Sequence, residues 1–146
     1  MSITNDITAA VAAEVKALVN NQFEVAYGYL PRYSASDLGE LKITCAPRAM
    51  SVERDTRGTL KSELTVDIAV QKRVSDESEL PELGNLVDGL FEQMTTARLR
   101  NFPLAVCVQS TRDTLFDMDA LTQPKVFSSV FNLVYRFAIR AEVEHD

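Results

Sequence analysis

The chain holds one histidine, His145, the penultimate of 146 residues. Chain ends are usually poorly ordered, so His145 reads as a solvated tail residue. A Ser-His-Asp triad, a Cys-His dyad and a multi-histidine metal site each need an imidazole held in the fold, and the sequence supplies none. Cys45 and Cys107 are the only cysteines, and no Cys-x-x-Cys pair occurs. That removes the usual zinc spacings. Both lie in apolar, strand-like runs and read as buried free thiols of a reducing compartment. Five glycines make neither a GxGxxG turn nor a Walker loop, which disfavours nucleotide binding through either. No apolar run approaches the roughly 20 residues that span a bilayer, and the first residues lack the basic-then-apolar pattern of a secretory signal. The expectation is a chain made in the cytoplasm, with no membrane partner.

Positive charge is also scarce. Fifteen Lys and Arg face 21 Asp and Glu, a net charge of −6. This argues against broad, non-specific affinity for phosphate backbones, which needs clustered cations. No two carboxylates are marked as sharing a cleft in the manner of a glycosidase, and no SxxK occurs. Asp113, Asp117 and Asp119 fall close together, but no EF-hand pattern surrounds them, and turn-forming and capping roles fit them better. No catalytic residue, metal or cofactor is expected.

What is present is periodicity. Ile7, Ala10, Val11, Val15, Leu18 and Val19 recur at helical steps and predict a helix over about 4–20, with Ser2, Thr4 or Asn5 as cap and Asn20-Asn21 as stop. Phe23–Tyr29 is a short β-prone run, and Leu41, Ile43 and Cys45 alternate as a strand up to Pro47. Residues 48–60 are dense in charge and include Gly58, and they read as an exposed hairpin loop or mobile arm. Leu64, Val66, Ile68 and Val70 alternate with polar residues as a half-buried strand. Ser78 is the expected cap, with Pro81 in the first turn, of a helix reaching about Leu99 through Leu83, Leu86, Val87, Leu90 and Met94. Gly84 and Gly89 weaken that helix, and close packing on a sheet is a physical reason for them. Leu104, Val106 and Val108 make a further strand. Residues 109–124 form a polar connection with one helical turn near Asp119–Leu121.

A long last strand then runs from about Val126. Phe131, Leu133, Tyr135, Phe137, Ile139, Ala141 and Val143 share one side, and Asn132, Arg136, Arg140 and Glu142 the other. The prediction is a single α+β domain over residues 1–146, in the order α-β-β-β-α-β-β. Its sheet is mostly antiparallel with two helices on one face, and its exposed edges favour an oligomer. Two charged groups are candidate subunit or partner contacts. One is Arg48, Glu53, Arg54, Asp55 and Arg57, an arm that orders against a neighbour. The other is Arg136 and Arg140, which join Arg98, Arg100 and Arg112 in a basic strip open to nucleic acid or an acidic partner, unless that face is simply solvated.

Several segments carry a resemblance. They are Tyr29–Tyr33 (Y-x-P-R-Y), Asp37-Leu38 with the strand Leu41–Pro47, Glu53 to Arg57, Leu64–Lys72, and Phe127-Ser128-Ser129 with Leu133, Tyr135 and Arg136. Taken in order they resemble short proteins encoded among the structural genes of long-tailed bacteriophages and prophages. The resemblance implies a tail-terminator or tail-completion protein of the virion neck. Such proteins form a homo-oligomeric ring, commonly a hexamer, that caps the tail tube protein and joins the head–neck connector protein. DNA passes through the lumen without specific binding. Head-completion and minor tail proteins of the same region, and a nucleic-acid or partner-binding accessory domain, stand as alternatives.

Overall fold

The computed structural model describes residues 2–28, 35–56, 59–112, 115–122 and 125–140, with backbone alone at 35, 36, 55, 56, 120, 122, 139 and 140. The elements are α1 (Ile3–Leu18), β1 (Glu24–Tyr27), β2 (Lys42–Thr56), β3 (Thr59–Arg73), α2 (Leu80–Thr96), β4 (Val106–Thr111), α3 (Met118–Thr122) and β5 (Val126–Arg140). Short 3-10 turns occupy Ala35–Gly39 and Glu77–Glu79. The predicted order of two helices and five strands is the observed one, and α3 is the single helical turn expected in the polar connection.

Local chemistry sets the helix ends. Ser2 Oγ accepts the Asn5 N–H at 3.4 Å, and Asp6 lies in the first turn, where the helix dipole favours it. Asn20 and Asn21 adopt φ of 55° and 60°, a left-handed conformation that Asn tolerates and that stops the helix. Ser78 is not the cap: Asp76 caps the 3-10 turn that leads into α2, and Glu79 stands at the start of α2 itself without a side-chain cap bond. Asp76 accepts the Ser78 N–H at 3.2 Å, and Glu79 reaches back to the Asp76 N–H at 3.0 Å, a reciprocal capping box. A proline opens α2, as predicted.

The sheet order is β1-β2-β3-β5-β4. Every neighbouring pair is antiparallel except β1 with β2. Period 2 puts Leu64, Val66, Ile68 and Val70 of β3 on the same face as Phe131, Leu133, Tyr135 and Phe137 of β5, and all are buried. Both helices cover that face. Ile7, Val11 and Val15 of α1 and Leu83, Val87, Leu90 and Met94 of α2 join one continuous core with it. The ring of Phe91 meets Phe131 edge-on, with centroids 5.4 Å apart. The opposite face stays largely open. The 3-10 turn over residues 35–39 packs against β3, and Leu38 and Ala69 are buried outside the main core.

Leu90 is 3% exposed and sits in the α2 stripe. Leu90→Ala is expected to destabilise the fold by about 2–5 kcal/mol in denaturant unfolding; a change under about 0.5 kcal/mol would mean the helix is misplaced. The two helical glycines differ from expectation. A Cβ added at Gly84 or Gly89 meets no atom within 4 Å, so close packing does not require them. Gly84→Ala and Gly89→Ala are each expected to stabilise by about 0.5–1 kcal/mol, and a loss of stability in either would show a hidden contact. The capping box also predicts a pH effect. Bonds from Lys72, then from the Ser75 and Asp76 backbone, hold the Glu79 carboxyl at about 2 rather than its ordinary 4.5. Its stabilisation is therefore full above the ordinary value and fades as pH falls toward 2. Glu79→Gln should lower the melting temperature at pH 6 and change it little near pH 2. An equal drop at both pH values would mean that the charge is not what matters.

Candidate assembly surface

The charged stretch 48–60 is not the loop its composition suggests. Arg48–Thr56 continues β2 and Thr59 and Leu60 begin β3, so the two strands form one long hairpin. Residues 48–54 are exposed, as predicted, while Thr59 and Leu60 are half-buried. The strand was hidden because register shifts fall between Pro47 and Ala49 and between Arg54 and Thr56. Each bulge inserts one residue and slips the alternation. Ile43, Cys45 and Pro47 face the helices, and after the slip Met50, Val52 and Arg54 take that side. The amino end of α1 reaches the arm at Met50, whose sulfur lies 3.7 Å from the Thr4 hydroxyl.

The candidate residues separate across this arm and the open face. Arg48 Nε bonds Asp67 at 2.9 Å, and Asn132 donates to the same carboxylate oxygen. Arg136 bonds Glu63 Oε2 through Nε at 3.0 Å and Nη2 at 2.7 Å. Lys42 pairs with Glu24 at 3.2 Å. Exposed pairs of this kind contribute about 0–1 kcal/mol each; their larger effect is to neutralise the face. Glu53 lies opposite Lys61 on the open side, and Arg54 lies opposite Leu60 on the helix side. Asp55 belongs to β2 and Arg140 to β5 by backbone alone, and Arg57 is outside the described residues. So are Ala141 to Glu142, Val143 and His145.

The basic strip is not assembled. Arg100 bonds Glu14 of α1 at 3.0 Å, and Arg112 pairs with Asp88 of α2 and bonds the Ser129 hydroxyl at 3.3 Å. Both therefore lie on the helix side of the sheet, away from Arg136. Period 2 had placed Arg136 correctly, but loop arginines have no period from which a face can be read.

A feature absent from the sequence reading is the character of the sheet edges. β1 covers β2 only from Lys42 to Cys45, and among the described residues no strand pairs with the outer side of β2 beyond that point. At the other end β4 has no outer neighbour among the described residues. Leu104, Val106 and Val108 are 76%, 59% and 42% exposed there, within a run from Asn101 to Thr111 that has no charged residue. That uncharged run was the available signal. Natural edges are usually guarded by charge, proline or a bulge, and an apolar one is a template for pairing. β4 keeps a bulge at Val108, whereas β2 has charge, Pro47 and two bulges.

Asp117 Oδ1 accepts the Asp119 N–H at 3.0 Å at the start of α3, the capping role expected; Asp113 lies outside the described residues. Among the described residues no group of three or more potential ligands could hold a metal ion. Both thiols are free. Burial pushes Cys45 up to about 12 and raises Cys107 as well, so Cys45 is a protonated packing residue at neutral pH. Among the described residues no helix is long and apolar enough to cross a membrane.

No protein-family model matches the chain, and no curated protein matches it. In fold it is similar to a solved PVC sheath/tube terminator in the extended state, from an extracellular contractile injection system. The TM-score is 0.54 at 12% identity, over 100% of this chain and 62% of that one. This chain thus spans 62% of the terminator's length. A second solved chain, 15% identical over 99% of this chain and 96% of its own, is a looser likeness with a TM-score of 0.42. The likeness to that terminator is one of fold.

Proposed function

We propose that this chain is a structural protein of a tailed phage or a related injection machine. Identical copies, six in number, form a ring that ends the tail tube and joins it to the head–neck connector. The observation that carries this reading is the fold likeness to a sheath/tube terminator along the whole chain. The surface agrees with it. The groups of interest are strand edges and a charged arm, which are means of assembly, and Cys45 is chemically quiet. We assign the chain no catalytic role.

DNA in the lumen is a passenger in this reading. The net charge is −6, and Arg48, Lys42 and Arg136 on the open face are each matched by a carboxylate. Phosphate binding needs unmatched cations. The division of the arginines between the two sides of the sheet also weighs against an accessory DNA-binding domain. In the virion the protein resides in the tail and neck, with assembly in the host cytoplasm.

The arm is the proposed lateral contact. Arg54 and Arg57 meet acidic groups of the next subunit, and Glu53 and Asp55 meet basic ones. Each exposed pair contributes only about 0–1 kcal/mol, but the contact repeats around the ring. Arg54→Glu with Arg57→Glu is expected to leave the melting curve intact and weaken both oligomer formation, read by native mass spectrometry, and tail joining. A double variant that assembles and joins like the parent would remove the arm's charges from the account.

A further inference from the structure

The two open strand edges of one chain are matched to each other. β4 pairs with β5 from Val106 opposite Arg136 to Thr111 opposite Asn132. Across the sheet, Arg136 lies opposite Glu63, and Glu63 opposite Ser51; Asn132 lies opposite Asp67, and Asp67 opposite Ala46. β1 stops pairing with β2 at Cys45. Among the described residues, then, the outer side of β2 becomes free at the level of the sheet where β4 runs on the far edge. Their directions also fit. β2 and β5 are each antiparallel to β3 and so run the same way, and β4 is antiparallel to β5. β4 therefore runs opposite to β2.

We propose that β4 of one subunit pairs with the free part of β2 of the next, joining the sheets of neighbouring copies into one. This rests on the ring reading above and names the joint within it. Rotation about an axis along the strands keeps their sense, so the joint is an antiparallel ladder made without sliding one subunit past the other. Two different edges meeting head to tail form a heterologous contact, the kind that closes into a ring. Pro47 has no N–H to donate and Arg48 sits at a bulge, so the ladder occupies Ala49–Val52 against Val106–Gln109. Main-chain bonds supply the pairing. On the open face the exposed Val106 of one copy is covered beside Ala49 and Ser51 of the next, and on the helix side Cys107 comes level with Met50, which is 41% exposed in the single chain. Because β4 carries no charge, Glu53 and Arg54 meet no like charge on it.

The test uses two variants of the full chain, each changing exposed residues only. One has Val106→Lys and Val108→Lys, and the other has Ala49→Lys and Ser51→Lys. With a parent that runs as a ring in native mass spectrometry, each variant alone should fall to a monomer of about the parent mass with an unchanged melting curve. Mixed one to one, they should form a heterodimer, because one keeps an intact β2 edge and the other an intact β4 edge. Rings from both variants would overturn the edge joint and leave the ring reading standing. Loss of the ring in the β4 variant alone would also overturn it, since β4 would then meet some other surface. A parent that is monomeric throughout would sink the ring reading and this joint with it.

Discussion

The structure depends on burying one face of one sheet. β3 and β5 pair along their whole length and point Leu64 to Val70 and Phe131 to Phe137 at two helices. Burial of those side chains is the dominant favourable term in such a fold. It also decides what remains for function. With α1 and α2 both on one side, the second face and the two sheet edges are left for other contacts. Cys45 and the ring of Tyr135 are packed in the core, where burial raises the pKa of both, Cys107 is half-buried, and the capping carboxylates hold helix starts.

The polar face shows a consistent pattern. Two of its arginines sit beside carboxylates at hydrogen-bonding distance, Arg48 on Asp67 and Arg136 on Glu63. Weak exposed pairs add little stability, but they remove the positive field that would hold a polyanion. Exposed apolar groups lie at the β4 edge and on the arm, and also at Tyr27, Leu115, Met118 and Val130. Among the described residues the rims leave strand edges open to pairing with another chain.

Much of this was legible in the sequence, for a physical reason. Strands buried on one face must alternate, so β3 and β5 announced their faces, and the stripe in α2 announced its buried side. Legibility failed where a bulge shifts the phase. One extra residue at Arg48 moved Met50 and Val52 out of step with Ile43 and Cys45, and the arm passed for a loop. It failed again at Arg100 and Arg112, whose positions depend on tertiary partners, Glu14 and Asp88, far away in the chain. Gly84 and Gly89 suggested close packing that the structure does not contain. The candidate contacts Arg48 and Arg136 were found by residue type and strand phase. The β4 edge was overlooked because Leu104, Val106 and Val108 look like core until the strand order places them at a rim.

The central claim is that this chain ends a tube as a ring. Electron microscopy of tail tubes mixed with the purified chain tests it most directly. The account predicts a ring of identical subunits seated at one end of each tube, and tubes so capped that join connectors. Tubes left bare at both ends, or the chain scattered along their length, would contradict it.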